Sequence, residues 1–174
     1  AVGAEVGTDP GRIVIINLDS GVTEAFESGV LPDMLTFSPD GMLVASADEG
    51  EPNDEYTIDP PGGITLVDLA TMTSETYTFE SIPADRIGEG IILSSPEGTT
   101  FAQAAEPEYV AFSGDGEHLY VCLQENNALA KFDVVNREWL WVRSLGFKDH
   151  SVAPNRLDAS NRDDRIDIRN WPIN

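Results

Sequence analysis

The stretch 106–132, EPEYVAFSGDGEHLYVCLQENNALAKF, decides the fold of this chain of 174 residues. Two short runs rich in β-branched and aromatic residues, 109–113 and 118–123, flank the sequence Gly114-Asp115-Gly116, and a third run covers 128–134. Because glycine reaches positive φ at little cost, this sequence predicts a tight turn between two antiparallel strands. The stretch therefore predicts a β-hairpin followed by a third strand.

The same pattern recurs along the chain. FSPDG at 37–41 matches FSGDG at 112–116, and VASADE with GGITLVDL (44–49, 62–69) matches YVCLQE with NALAKFDV (120–125, 127–134). AVGAE with GRIVIINL (1–5, 11–18) is the end of a further unit. Each unit is a four-stranded antiparallel meander that cannot bury both faces alone, and such units stack radially in a β-propeller.

We therefore predict an all-β fold, a partial β-propeller of about two and a half four-stranded antiparallel blades. The predicted segments are a blade remnant (1–30), a blade (31–81), an insertion (82–105), a second blade (106–146), and an acidic loop with the start of the next blade (147–174). Since closing a propeller takes about four blades or more, we expect other protein chains or missing blades to complete the ring.

Carboxylates dominate the composition, with 31 Asp and Glu against 10 Lys and Arg and a formal net charge of −21. This excess of negative charge argues against nucleic acid as a partner, because phosphates need a cationic surface. It fits cation binding, or simply a solvated acidic surface. No stretch reaches the roughly 18 apolar residues of a membrane helix, so we expect no membrane span. The single cysteine, Cys122, allows no internal disulfide and is predicted to be a buried packing residue.

The propeller topology predicts where polar residues gather. The loop that enters the first strand of a blade and the loop between its second and third strands lie on the same face. Glu5, Glu49 and Glu125 occupy equivalent positions in the three units, and we expect them to approach a common centre. The polar residues predicted on this face are Glu5, Asp33, Asp48, Glu49, Glu51, Asn53, Asp54, Asp59, Glu106, Glu108, Gln124, Glu125, Asn126 and Asn127.

Two acidic segments have the composition of calcium sites, since Ca²⁺ prefers six to eight oxygen ligands. In the loop 48–59 we predict Glu49, Glu51 and Asp54 as ligands, together with Glu125 from the second blade. In NRLDASNRDDRIDI (155–168) we predict Asp158, Asn161 and Asp163. A solvated loop is the alternative in both segments. In the second, Asp164 stands where a calcium loop has glycine, and neighbouring arginines are able to pair with the acids.

The sequence GFKDHS (146–151) contains the candidate catalytic residues Lys148, Asp149 and His150. A Lys-Asp-His cluster is able to bind phosphate or transfer protons, and a surface turn is the alternative interpretation. His118 lies in a predicted strand and is interpreted as structural. The sequence has no G-x-S-x-G, H-E-x-x-H or P-loop motif, and its two histidines do not favour a His-rich zinc or iron site.

Several long runs together resemble the choice-of-anchor I domain family. They are VASADEGEPNDEYTIDPPGGITLVDL, AEPEYVAFSGDG, LQENNALAKFDV, LGFKDHS and LDASNRDDRIDIRNWP. The family includes mesenchyme-specific cell-surface glycoproteins and relatives described as alkaline phosphatase-like or phytase-esterase-like. The resemblance implies a β-propeller, an extracellular, periplasmic or cell-surface setting, and calcium association. Family members are longer and usually have glycine at the position of Asp164. With no initiator Met or signal peptide, the chain is interpreted as a fragment or a processed product.

Three functional hypotheses follow. The first is a secreted or cell-surface β-propeller that binds Ca²⁺ through acidic loops and mediates matrix, mineral or protein interaction. The second is a metal-dependent phosphoesterase, in which Glu49, Glu125 and Asp149 hold metals and Lys148 or His150 stabilises phosphate oxygens. The third is a structural subunit of a larger assembly.

Overall fold

The computed structural model describes residues 1–93, 95–160 and 162–171. The chain begins with a two-stranded antiparallel sheet of β1 (Pro10–Ile16) and β2 (Thr23–Val30). The sequence predicted a strand end at 1–5, whereas this segment makes only an isolated bridge between Val2 and Arg12. The end of β2 contacts the next sheet, since the amide of Gly29 donates to Asp48 and Thr65.

Two four-stranded antiparallel meanders follow. The first blade contains β3 (Pro32–Phe37), β4 (Leu43–Asp48), β5 (Gly63–Asp68) and β6 (Thr73–Thr78), which are adjacent in sequence order. The second blade contains β7 (Tyr109–Phe112), β8 (His118–Leu123), β9 (Ala128–Asp133) and β10 (Glu138–Ser144), in the same arrangement. In both blades the first hairpin turns through a glycine with positive φ, 71° at Gly41 and 75° at Gly116. The repeat seen in the sequence is therefore a repeat of structure.

The main core lies between the two blades. Ile64 and Leu66 of the first blade belong to one buried cluster with Leu119, Val121 and Phe132 of the second. Trp139 fills the end of this core, with its ring centroid 4.3 Å from that of Phe79 and 5.1 Å from that of Phe132. Burying each such side chain contributes about 1.5–3 kcal/mol. The blades are held together chiefly by this apolar layer.

A smaller apolar layer joins the first blade to the β1–β2 sheet. Val44 and Val67 point away from the main core and pack against Ile13 and Phe26. Three successive β units thus stack face to face, which is the arrangement of a partial β-propeller.

The predicted insertion covers one end of the main core. It contains the 3₁₀ turn Ala84–Arg86 and one short helix, α1 (Phe101–Ala104), which Thr100 and Gln103 close with a reciprocal capping box. Ile82, Ala102 and Ala105 are buried in the main cluster. Most of the segment has no regular secondary structure, and its apolar side chains attach it to the main core.

The prediction for Cys122 is wrong. Along β8 the buried residues are Leu119, Val121 and Leu123, so the residues between them point to the opposite face of the sheet. Cys122 is only half-buried there, and burial, followed by the charge of Glu108, raises the pKa of its thiol. A one-residue alternation decides which side of a strand meets the core.

Candidate functional site

The candidate site lies where the loop after β4 meets the segment before β7. Gly62 is the point of closest approach, since a Cβ there would lie 2.1 Å from the carbonyl oxygen of Ala105 and 2.8 Å from that of Glu49. The amide of Gly62 also donates to the carbonyl of Ala102, at 2.9 Å. Only glycine permits this contact, which places the backbone of Glu49 beside the segment that leads to Glu106.

Six carboxylates from both blades gather around this contact, and we call them the acidic face. Burial is the largest cause that raises the pKa of Glu49, to about 7, and the charges of four other members of the face add to it. Burial also raises the pKa of Glu106 to about 7, followed by the charge of Glu125 and a hydrogen bond with it. The members are Asp33, Glu49, Glu51, Glu106, Glu108 and Glu125.

The two blades contribute to one electrostatic unit. The Glu49 carboxylate of the first blade is destabilised by Glu106 and Glu108 of the second, and Glu106 is destabilised in turn by Glu51 of the first. The causes are burial and neighbouring carboxylates, both of which disfavour the charged form. The face is therefore an arrangement of like charges that a bound cation would relieve.

Asp48 was predicted on this face, but its side chain points inward. It is 1% exposed, and its Oδ1 accepts a hydrogen bond from Ser46 Oγ at 2.7 Å. Its Oδ2 accepts from Thr65 Oγ1 at 2.6 Å and from the amide of Gly29 at 3.2 Å. Burial raises the pKa of Asp48 to about 6. The residue joins β4 to β5 and β2 and fixes the chain just before Glu49.

Asn126 was also predicted on the face, and it is a buried brace with 1% exposure. Its Nδ2 donates to the carbonyls of Ala104, at 2.6 Å, and Ile92, at 2.9 Å. Its Oδ1 accepts from the amide of Glu106 at 3.1 Å. This side chain ties the insertion and the start of the second blade to the β8–β9 loop, which leaves the adjacent Glu125 exposed on the face.

The remaining predicted ligands of the first loop lie at the edge of the face. Asp54 and Glu51 line a cavity of about 350 Å³ together with Leu31. The loop is shaped by Asn53, whose Oδ1 accepts from the amides of the residues at 57 and 58, at 2.8 and 3.0 Å. Glu5 is exposed, and its carboxylate is not among the charges that raise the pKa of Glu49 or Glu106.

In the second predicted calcium segment, arginines contact the acids. Asp163 pairs with Arg165 at 3.1 Å, and Asp158 accepts the amide of Asp167 at 3.0 Å, which helps to lower the pKa of Asp158. Asp164 adopts a φ of 53°, the left-handed conformation that glycine would favour. Asn161 lies outside the described residues.

The catalytic candidates form a local turn. Asp149 Oδ1 accepts hydrogen bonds from the hydroxyl and amide of Ser151, at 2.6 and 2.8 Å, which lower the pKa of Asp149. His150 Nδ1 donates to the carbonyl of Asn155, and Lys148 is exposed. The hydrogen bonds described for Asp149 and His150 stay within the segment after β10, so they orient this turn rather than the acidic face.

Sequence reasoning missed one cluster. In the part of the chain that the structure describes, only Asp115, Glu117 and His118 bring three His, Cys or carboxylate donor atoms within 4.8 Å of one another. The described carboxylates of the acidic face are more widely spaced than this. The sequence does contain the pattern D-x-E-H at a tight turn. It was not interpreted as a metal site because His118 was assigned a structural role.

Stacked four-stranded antiparallel blades define the class of protein, a partial β-propeller. The chain belongs to the choice-of-anchor I domain family, which matches residues 1–174. None of the curated proteins compared with it matches. Among the described residues, no helix is long and apolar enough to cross a membrane.

Three solved structures are similar to parts of the chain. The β-propeller domain of the Trilobed protease from Pyrococcus furiosus, described as having an open velcro topology, is 18% identical over 77% of this chain and 34% of its own, with a TM-score of 0.46. Kuenenia stuttgartiensis hydrazine synthase is 14% identical over 74% of this chain and 34% of its own, with a TM-score of 0.47. The Cps50 (Swd1) β-propeller domain from Myceliophteria thermophila is 15% identical over 78% and 51%, with a TM-score of 0.33. The chain thus spans about a third to a half of these structures.

Proposed function

We propose that this propeller binds Ca²⁺ on the acidic face and that the bound ion mediates contact with matrix, mineral or protein at a surface outside the cell. One observation supports the proposal above others: Glu49 and Glu106, half-buried on neighbouring blades, lie among four further carboxylates whose charges disfavour their ionisation. Burial and mutual repulsion both raise the free energy of the charged face. A bound divalent cation offsets the repulsion between the carboxylates, because it places positive charge among them.

The spacing of the carboxylates favours calcium over magnesium. Ca²⁺ accepts six to eight oxygens in irregular geometry, whereas Mg²⁺ demands a nearly ideal octahedron. Because the described face has no three donors within 4.8 Å of one another, binding requires side chains to rotate inward. The exposed Glu51 and Glu125 have that freedom, while Glu49 and Glu106 are half-buried beside the Gly62 contact.

Calorimetric titration of the chelator-treated chain with Ca²⁺ tests the binding. The variant Glu49→Gln/Glu106→Gln removes two carboxylates from the face, and we expect it to bind at least about tenfold more weakly, about 1.4 kcal/mol. The variant Glu24→Gln/Glu80→Gln removes two carboxylates from exposed positions elsewhere and should bind like the parent chain. Absence of binding to the parent chain, or equal weakening in both variants, contradicts a localised site.

The contact function is tested separately. We expect the parent chain to adsorb to a calcium phosphate mineral or an anionic matrix polymer with Ca²⁺ present, and the Glu49→Gln/Glu106→Gln variant to adsorb less. Adsorption that is unchanged in this variant would assign it to the general charge of −21. A partner that stays bound in chelator would instead favour the structural-subunit hypothesis. The local turn of Asp149 and His150 gives no support to a phosphoesterase.

A further inference from the structure

The β7–β8 turn lies at the opposite end of the second blade from the acidic face. It contains the one described group of three donors within 4.8 Å, namely Asp115, Glu117 and His118. The acidic face is built from loops at the other ends of these strands, because successive connections of a meander alternate between the two ends. The turn is therefore a separate location with different donor chemistry.

The first blade shows which residues this turn needs. Ser38 Oγ donates to Asp40 Oδ1 at 2.6 Å there, as Ser113 Oγ does to Asp115 Oδ1 at 2.5 Å in the second blade. In each blade the same Asp oxygen accepts an amide two residues on, at 3.0 Å. The serine, the aspartate and the glycine thus form the turn in both blades.

The two following positions differ between the blades. Met42 and Leu43 stand where the second blade has Glu117 and His118. Leu43 packs against the main core, whereas His118 is half-exposed and Glu117 is exposed. The turn therefore forms without an imidazole or a second carboxylate, and Glu117 with His118 is an addition that the fold does not require.

A third acidic residue lies across the strand pair from His118. His118 lies opposite Asp133 in the β8–β9 register, and Asp133 is held by the amides of Val135 and Asn136 at 2.9 and 2.8 Å. Directly opposed residues of an antiparallel pair lie on the same face of the sheet, so Asp133 and His118 are cross-strand neighbours. Such a carboxylate is the usual orienting partner of a metal-bound histidine.

We propose that Asp115, Glu117 and His118 bind a transition-metal ion of the Zn²⁺ class, with Asp133 as the positioning residue for the imidazole. One imidazole with two carboxylates is a donor set that suits Zn²⁺ or Cu²⁺, whereas Ca²⁺ takes oxygen ligands. The site lies on the surface, and its fourth coordination position is open to water or to a side chain of a neighbouring molecule. It does not depend on calcium binding at the acidic face.

The test is a Zn²⁺ titration in excess Ca²⁺, in which binding is monitored through the NMR signals of the imidazole rings. The chain has only two histidines, so we expect the His118 signals to shift while those of His150 stay. His118→Leu, which copies the first blade, should weaken Zn²⁺ binding by at least about tenfold, and Glu117→Met should also weaken it. Asp40→Asn, in the matching turn of the first blade, should leave it unchanged.

Each of the following results would overturn the proposal. They are no Zn²⁺ binding, binding that shifts only His150, and affinity that both His118→Leu and Glu117→Met retain. The metal site is also rejected if the His118 signals follow the pH of the sample and not the concentration of Zn²⁺. An ion pair of His118 with Asp115 and Asp133 would then explain the cluster.

Discussion

Asn126 is the single side chain that joins the most parts of the site. It hydrogen-bonds to Ala104 and Ile92 of the insertion and to the amide of Glu106. Replacing it with alanine leaves one buried and two part-buried backbone groups without their partner, and a buried group left in this way costs about 1–3 kcal/mol. We expect Asn126→Ala to lower the free energy of unfolding by about 2 kcal/mol or more, measured by urea denaturation.

Gln124→Ala is the matched control for this loop. Gln124 is exposed, and within the described residues its side chain donates only to Glu108, at 3.2 Å. Its loss should therefore change stability by less than about 0.5 kcal/mol. Equal effects of the two substitutions would show that Asn126 is not a brace.

The pH dependence of stability follows from the carboxylates whose pKa is raised. In the folded chain the pKa values of Asp48, Glu49 and Glu106 are about 6, 7 and 7, whereas their ordinary values are 3.8, 4.5 and 4.5. These carboxylates therefore bind protons more tightly in the folded chain than in the unfolded chain. Their contribution to stability is complete below the ordinary values and is lost as the pH rises through the folded ones. We expect the free energy of unfolding in chelator to fall between about pH 5 and about pH 8.

Other carboxylates determine how far the pH can fall before the folded chain loses stability. Hydrogen bonds lower the pKa of Asp40, Asp68, Asp115 and Asp133 below 3.8, so their contribution is present above that value and is lost as the pH falls. Stability should be greatest near about pH 4 to 5, and Glu49→Gln/Glu106→Gln should flatten the decline above it. Urea denaturation across this range measures both effects, and a parent chain that grows more stable from pH 5 to 8 would refute them.

The sequence predicted some residues of the site and not others. Glu49 and Glu125 were predicted on one face from an alignment that made them equivalent. The strand pairing is one residue different, because Asp48 opposite Gly63 corresponds to Leu123 opposite Ala128, which makes Gln124 the equivalent of Glu49. Glu49 and Glu125 nevertheless both belong to the acidic face. Asp48 and Asn126 belong to the same polar stretches, yet they are buried. Their partners, such as Gly29 and Ala104, lie 19 and 22 residues away, and a local pattern does not reveal contacts over such distances.

At the scale of elements, the close contact at Gly62 sets the separation of the two halves of the face. A Cβ at this position would clash with the backbone carbonyls of Ala105 and Glu49, and backbone atoms cannot rotate away as a side chain does. Gly62→Ala should therefore force the loop after β4 away from the segment before β7. We expect it to cost about 1–3 kcal/mol of stability and to weaken Ca²⁺ binding.

Gly114→Ala provides the comparison, because a Cβ there meets nothing within 4 Å and its φ is not positive. Thermal denaturation and calorimetry on both variants separate a local clash from a general effect of alanine. If Gly62→Ala binds Ca²⁺ like the parent chain, the spacing of the two segments does not matter for the site.

The prediction of elements succeeded where short-range chemistry decides them. The Ser-x-Asp-Gly turns fix both first hairpins through Gly41 and Gly116, and alternating apolar residues fix β8 and β9. The prediction failed at Cys122, where the register decides the face, and at α1, whose four residues are too few for helical periodicity to show.

At the scale of the whole molecule, the net charge of −21 opposes the compact state. Raising the ionic strength from about 0.01 M to about 0.1 M shortens the screening length from about 30 Å to about 10 Å. We expect NaCl to raise the melting temperature of the Ca²⁺-free chain, and CaCl₂, added without chelator at equal ionic strength, to raise it further. Equal effects of the two salts would mean screening alone.

The second blade also presents a face with no described neighbouring blade. Tyr120, Lys131, Trp141 and Arg143 share it, with Lys131 5.5 Å from the centroid of the Tyr120 ring and Arg143 4.8 Å from that of Trp141. In the first blade the corresponding face is covered by the second. A closed propeller places its next blade on this face.

A double-mutant cycle between Glu49 and Glu106 tests most directly the claim that two blades form one cation-binding face. Ca²⁺ affinity is measured calorimetrically for the parent chain, Glu49→Gln, Glu106→Gln and the double variant. If both carboxylates act on the same ion, the two effects are not additive and the coupling is about 0.5–3 kcal/mol. Additivity within about 0.3–0.5 kcal/mol would show two independent sites and contradict the account.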